Sequence, residues 1–191
     1  MNERHTAINL RNVLIDSVTD WNISQKICAV ASDNAANVIA AIRLTGWQSI
    51  PCLAHTLHLI ICDSFKESNV DVLRDKCRSI VEYFHRSIVA ANKLKEVQTT
   101  MNKPQLKLKM EVQTRWNSTF HMIQRLIEVQ EPLEATIGVL HNPISILAAN
   151  EWEVLNEISQ LLKPFEDLTM EMSAEQYDTV SKIQAVYLLK N

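Results

Sequence analysis

The chain has 191 residues, a formal net charge of −3, 47% apolar and 21% charged residues, the make-up of an ordinary folded protein of about one domain. Its two glycines, Gly46 and Gly138, exclude a glycine-rich phosphate loop, a dinucleotide fingerprint and a kinase glycine loop, and so few turn residues argue against an all-β fold. No run approaches a membrane span, the opening MNERHTAINL is too polar for a signal peptide, and four cysteines suit a reducing compartment better than a disulfide scaffold.

Apolar spacing predicts a helix over 5–21. Residues 26–33 are short, largely apolar and end on Ser32 and Asp33, the pattern of a buried strand between helices. Residues 34–44 return to helical spacing, with Gly46 placed to end the helix. Pro51 suits the first turn of a helix over 52–65, and a long helix is predicted over 71–99, broken by Pro104. Residues 106–112 alternate apolar and charged side chains. This is the clearest half-buried strand, with Lys107, Lys109 and Glu111 on its solvent side. A helix with Met122, Leu126 and Val129 follows. Pro132, Gly138 and Pro143 suggest a subdomain boundary near 138–148. Trp152, Leu155, Ile158, Leu161 with Leu162, Phe165 and Leu168 then mark an amphipathic helix that Pro164 should kink or restart. Ser173 to Gln176 has the spacing of a capping box for a last helix. The fold class is α/β and mostly helical, with two recognisable strands. Two strands are too few for an independent sheet.

Charge is uneven along the chain. Residues 86–125 hold eight basic residues against two acidic ones, whereas 128–178 hold eleven acidic residues and one lysine. The basic stretch suits a polyanion such as nucleic acid, and equally a solvated lysine-bearing surface.

Three places carry chemistry. Asp33, at the carboxyl end of a predicted strand, either holds a divalent cation or caps the next helix. His55, His58, Leu59 and Cys62 fall on one side of a helix, and with Cys52 the Cys and His spacings resemble zinc ligands, but four ligands along one helix cannot surround a zinc ion. Arg115 beside Trp116 suits phosphate pairing with base stacking, or a salt bridge over a core tryptophan.

The stretches Ala31-Ser-Asp-Asn-Ala-Ala-Asn37, Cys52-Leu-Ala-His-Thr-Leu-His-Leu59, Val112-Gln-Thr-Arg-Trp-Asn-Ser-Thr119 and Leu161-Leu-Lys-Pro-Phe165 occur in this order. In this the chain resembles the transposases of hAT DNA transposons and the BED zinc finger proteins related to them. The resemblance implies an RNase H-like catalytic domain with a helical insertion, and three carboxylates holding two Mg²⁺ or Mn²⁺ ions. Asp33 matches the second carboxylate. Cys52 and His55 match a motif near the active site, and Trp116, preceded by Arg115, matches a tryptophan that stacks on DNA.

No counterpart of the first or third carboxylate is found. By this resemblance residues 1–140 are a partial RNase H-like domain and 141–191 the start of the insertion. The expected function is that of a nuclear, transposase-derived fragment without catalysis of its own. It binds no cofactor and touches DNA through Lys107, Lys109, Arg115 and Trp116. The alternatives are a protein-interaction module without DNA binding, or a piece of an active cut-and-paste transposase. Self-association or a protein partner would cover the missing part of the sheet, and no membrane is involved.

Overall fold

The computed structural model describes residues 4–68, 70–112, 115–140 and 144–172. They divide into two compact units, one up to Ile60 and one from Ile61 onward. Among the described residues there are eight α-helices and one two-stranded parallel sheet. The fold is therefore mostly helical α/β, as the sequence predicts.

In the first unit, helix α1 (Ala7–Asp20) starts at Thr6, whose hydroxyl accepts the Asn9 N–H at 3.3 Å. It ends before Asn22, which takes a left-handed φ of 54°. Strand β1 (Ala29–Ser32) leads through helix α2 (Ala36–Thr45) to strand β2 (Gln48–Pro51). Gly46 terminates α2 at φ 80°, a conformation that costs glycine nothing. The strands run parallel, with Ala29 opposite Gln48 and Ser32 opposite Pro51. Helix α1 packs on α2, and Val18, Ala41 and Ile42 are buried. Pro51 is the last residue of β2 rather than the first turn of a helix. Helix α3 (Leu53–Glu67) begins two residues later.

The second unit is helical. The single long helix predicted over 71–99 is two: α4 (Val70–Arg86) and α5 (Ile88–Thr100). Ser87 separates them because its hydroxyl accepts the Ala90 N–H at 3.2 Å, starting a new helix where the old one would continue. Helices α6 (Trp116–Glu128), α7 (Gln130–Val139) and α8 (Ala149–Met172) complete it. Helix α7 packs on α5, and α8 on α6. Phe120, Met122, Ile123, Leu126, Leu133 and Leu155 are almost wholly buried. Pro132 sits inside the first turn of α7, and α8 runs unbroken through Pro164. The capping box from Ser173 and the final helix lie outside the described residues.

The predicted strand over 106–112 does not form. The segment has no ladder partner among the described residues, because side chains take its backbone groups instead. Gln98 Nε2 donates to the Leu106 carbonyl at 3.0 Å, and Arg125 Nη1 to the Lys107 carbonyl at 2.5 Å. His85 Nε2 lies 3.1 Å from the Leu108 carbonyl. Ser118 Oγ accepts the Val112 N–H at 2.7 Å. These bonds satisfy the backbone as a neighbouring strand would. The alternation survives in part, since Leu108 is buried and Lys107 and Lys109 are exposed. Glu111 breaks it. Instead of facing solvent, it is buried.

Candidate functional site

The first unit holds a strand-end site. Ser32 and Pro51 are register partners, so Asp33 and Cys52, the next residue of each strand, emerge at the same carboxyl end. The Cys52 N–H donates to the Ser32 carbonyl at 2.7 Å, extending the pairing by one bond. Ligands of open α/β sheets gather at this end of the strands. Asp33 is exposed, and its Oδ1 accepts the Ala35 N–H at 3.3 Å just before α2. Helix α2 has no other side-chain cap, so Asp33 stands in for one. His55 lies in the first turn of α3, half-buried, with its ring 6.4 Å from that of His58. Cys52 is half-buried too.

A two-metal centre needs several converging carboxylates. Among the described residues no three His, Cys, Asp or Glu side chains stand close enough together to hold an ion. The donors present therefore do not fit the Mg²⁺ or Mn²⁺ pair that the hAT resemblance implies.

The second unit holds the basic stretch. Of the eight cations in 86–125, four are matched to carboxylates: Arg86 to Glu82 at 3.4 Å, Lys93 to Glu96 at 2.9 Å, Lys103 to Glu131 at 3.1 Å and Arg125 to Glu128 at 3.0 Å. Lys95, Lys107, Lys109 and Arg115 make no ion pair among the described residues, and all four are exposed. Lys107 and Lys109 project from the segment that Gln98, His85 and Arg125 hold in place. Arg115 stands at the N-cap position of α6. Its N–H donates to the Val112 carbonyl at 2.9 Å, and Ser118 Oγ donates to its own carbonyl at 2.6 Å. Trp116 is only 3% exposed, with its ring 6.5 Å from Phe120. It anchors the start of α6 from the core side, leaving Arg115 as the solvent-facing member of the pair.

Two features escaped sequence reasoning. Glu111 receives Arg78 through Nε at 2.8 Å and through Nη2, while Thr119 Oγ1 donates to its other oxygen at 3.0 Å. The hydrogen bond to Glu111 raises the Arg78 pKa. This ties α4 and α6 to the end of the lysine-bearing segment. Glu166 on α8 is likewise buried. It accepts Asn117 Nδ2 at 2.5 Å and pairs with His121 Nε2 at 3.1 Å. Asn117 follows Trp116, and Glu166 follows the Leu161–Phe165 motif, so two motifs distant in sequence meet through one bond. A lone carboxylate in an alternating or amphipathic run gives no sign of burial until its partners are known.

Between α5 and residues 105–108 lies a groove of about 590 Å³. Phe84, Leu94 and Leu108 are buried beneath it, and Lys95 and Lys107 stand at its edge.

Residues 50–161 match the family model of the ZBED1 RNase-like helical domain. The chain is similar to zinc finger BED domain-containing protein 4 of Homo sapiens, 34% identical over 142 residues that cover 74% of this chain and 12% of that protein. It is similar to zinc finger BED domain-containing protein 6 of Homo sapiens, 30% identical over 151 residues, 76% of this chain and 15% of that protein. It also resembles the putative AC transposase of Zea mays, 25% identical over 196 residues, 93% of this chain and 24% of that protein. The chain thus spans less than a quarter of the length of each of these relatives.

Proposed function

The chain belongs to the family of hAT transposases and the BED zinc finger proteins related to them, and from that premise we propose that it is a nuclear nucleic-acid-binding module that does not cut DNA by itself. Residues 1–140 correspond to part of the RNase H-like domain, and 141–191 to the start of the helical insertion. Lys107, Lys109 and Arg115 meet phosphates, with Trp116 buried next to Arg115 in sequence at the start of α6.

One observation carries this reading. Of the eight cations in 86–125, Lys107, Lys109 and Arg115 follow one another along the chain without a paired cation between them, the first two on a segment whose backbone is fixed by side chains of α4, α5 and α6. Cations already neutralised by Glu or Asp add little to polyanion affinity, and unpaired ones add the most. Asp33 keeps its place at the strand end, with Cys52 and His55 near it, but as one carboxylate it supports no two-metal chemistry.

The test is fluorescence anisotropy with a labelled DNA duplex between about 50 and 200 mM salt, where phosphate contacts weaken steeply. Lys107→Glu with Lys109→Glu should weaken binding at least about tenfold and flatten the salt slope by roughly two. Binding unchanged in that double variant, or absent from the parent, overturns the nucleic-acid reading. Incubation with Mg²⁺ or Mn²⁺ should leave the duplex intact. Cleavage that Asp33→Asn abolishes overturns the claim that the chain does not cut.

A further inference from the structure

We propose that the groove between α5 and residues 105–108 is a docking site for an acidic peptide segment with apolar side chains, a contact that shares Lys107 with the phosphate-binding residues and otherwise uses different side chains. Its volume of about 590 Å³ falls in the range of roughly 300–1,000 Å³ typical of sites that enclose ligands. The surface beneath is mainly apolar: Phe84, Leu94 and Leu108 are buried and Leu106 is half-buried, with Gln98 the buried polar member. An isoleucine, leucine or phenylalanine side chain removes its apolar area from water by entering such a floor.

The edge supplies the complement for acidic neighbours. Lys95 and Lys107 are exposed and make no ion pair among the described residues, whereas Lys93, one residue pair earlier on α5, is already matched to Glu96 at 2.9 Å. Two unmatched ammonium groups over an apolar floor favour a chain that alternates carboxylates with apolar anchors, because each part of it finds its counterpart without leaving a buried charge unpaired.

A nucleic-acid strand fits the same groove less well. Single strands are gripped by open aromatic faces on which bases stack. The phenylalanine here, Phe84, is 4% exposed, and His85 is held by its Nε2 against the Leu108 carbonyl at 3.1 Å. The groove therefore has cations for a backbone, but its one exposed ring, His85, is tethered by that contact and has no second ring beside it in the lining.

The full chain tests this with a short fluorescein-labelled peptide alternating glutamates with leucines and a phenylalanine, and with a fluorescein-labelled single-stranded oligonucleotide as the rival probe. Ala91 lines the groove from an exposed position on α5, so Ala91→Trp fills it with little demand on the core. Circular dichroism melts confirm that each variant folds. Ala91→Trp should weaken peptide binding about tenfold, and Lys95→Glu about fivefold, with duplex DNA binding unchanged by Ala91→Trp. Lys109→Glu, away from the groove, should weaken DNA and spare the peptide. The proposal is overturned if the parent fails to bind the peptide, or if Ala91→Trp binds it as the parent does. It is also overturned if Ala91→Trp displaces the single strand while the peptide never binds.

Discussion

Replacing Glu111 with alanine should destabilise the protein strongly. Its side chain is 2% exposed, and three groups converge on it: Arg78, Thr119 and, at 3.9 Å, Arg74 Nε. Alanine would leave two guanidinium groups facing an emptied, largely dry space. Removing one partner of a fully buried ion pair costs about 3–5 kcal/mol. Arg78 and Arg74 keep 20% and 23% of their side-chain surface in water, so the low end, about 3 kcal/mol, applies here. Urea unfolding reads this directly, because Trp116 and Trp152 are buried and report through their fluorescence. Glu111→Gln, which keeps an acceptor oxygen for Thr119, should cost less than alanine. In a cycle with Arg78→Met the two single losses should fail to add by about 2 kcal/mol, the signature of a shared contact. A loss under about 1 kcal/mol, or additive losses, would refute the reasoning, since both would mean that the pair is solvated in the folded state.

Two further outcomes follow from titratable groups. Hydrogen bonding from Lys76 Nζ at 2.5 Å and, second, from the Ala148 N–H at 2.7 Å lowers the Glu151 pKa. The folded value lies below the unfolded one, so this stabilisation is complete above the ordinary carboxyl pKa of about 4.3 and is lost as pH falls through the folded value. The urea midpoint should therefore fall more between pH ~5 and ~3 in the parent than in Lys76→Met, and an equal or larger fall in the variant would contradict it. Burial pushes the Cys77 thiol up to about 12, whereas Cys28 is exposed. At pH ~8 a thiol reagent should modify Cys28 first and Cys77 only on unfolding, because the thiolate is the reacting species. Mass mapping that finds Cys77 labelled as early as Cys28 would count against its burial.

The helices were legible wherever apolar spacing was regular and an end signal was present. Residues 5–21 became α1, and Gly46 ended α2 where a left-handed residue was needed. Strand β2 was not legible. It is four residues long, begins on Gln48 and Ser49 and ends on a proline, and nothing in that run alternates. The division at Ser87 was hidden because its neighbours continue the apolar spacing, and only the hydroxyl's bond to Ala90 decides the break. Residues 106–112 show the opposite failure. Alternation was present, but it records one buried side, and a buried side does not specify what satisfies the backbone. In the candidate sites, Asp33 and Cys52 were legible as motif residues. Their common position at one sheet end follows from the pairing of Ser32 with Pro51 and needed β2. Which lysines lack a carboxylate neighbour also needed the fold, because Lys103, just past α5, finds Glu131 on α7.

The manner in which residues 106–112 are held separates two kinds of change. In a sheet, almost any residue on the adjoining strand supplies the same backbone partner, so course and surface vary together. Here the course is written in Gln98, His85, Arg125 and Ser118, none of which lies on the segment itself. Substitutions at positions 107 and 109 can alter the charge shown to a partner while the chain keeps its path. A single substitution at 98 or 125 would move the whole display and leave its composition intact. Descendants of a common ancestor could in this way exchange one polyanion for another, or for none, without rebuilding the helices behind.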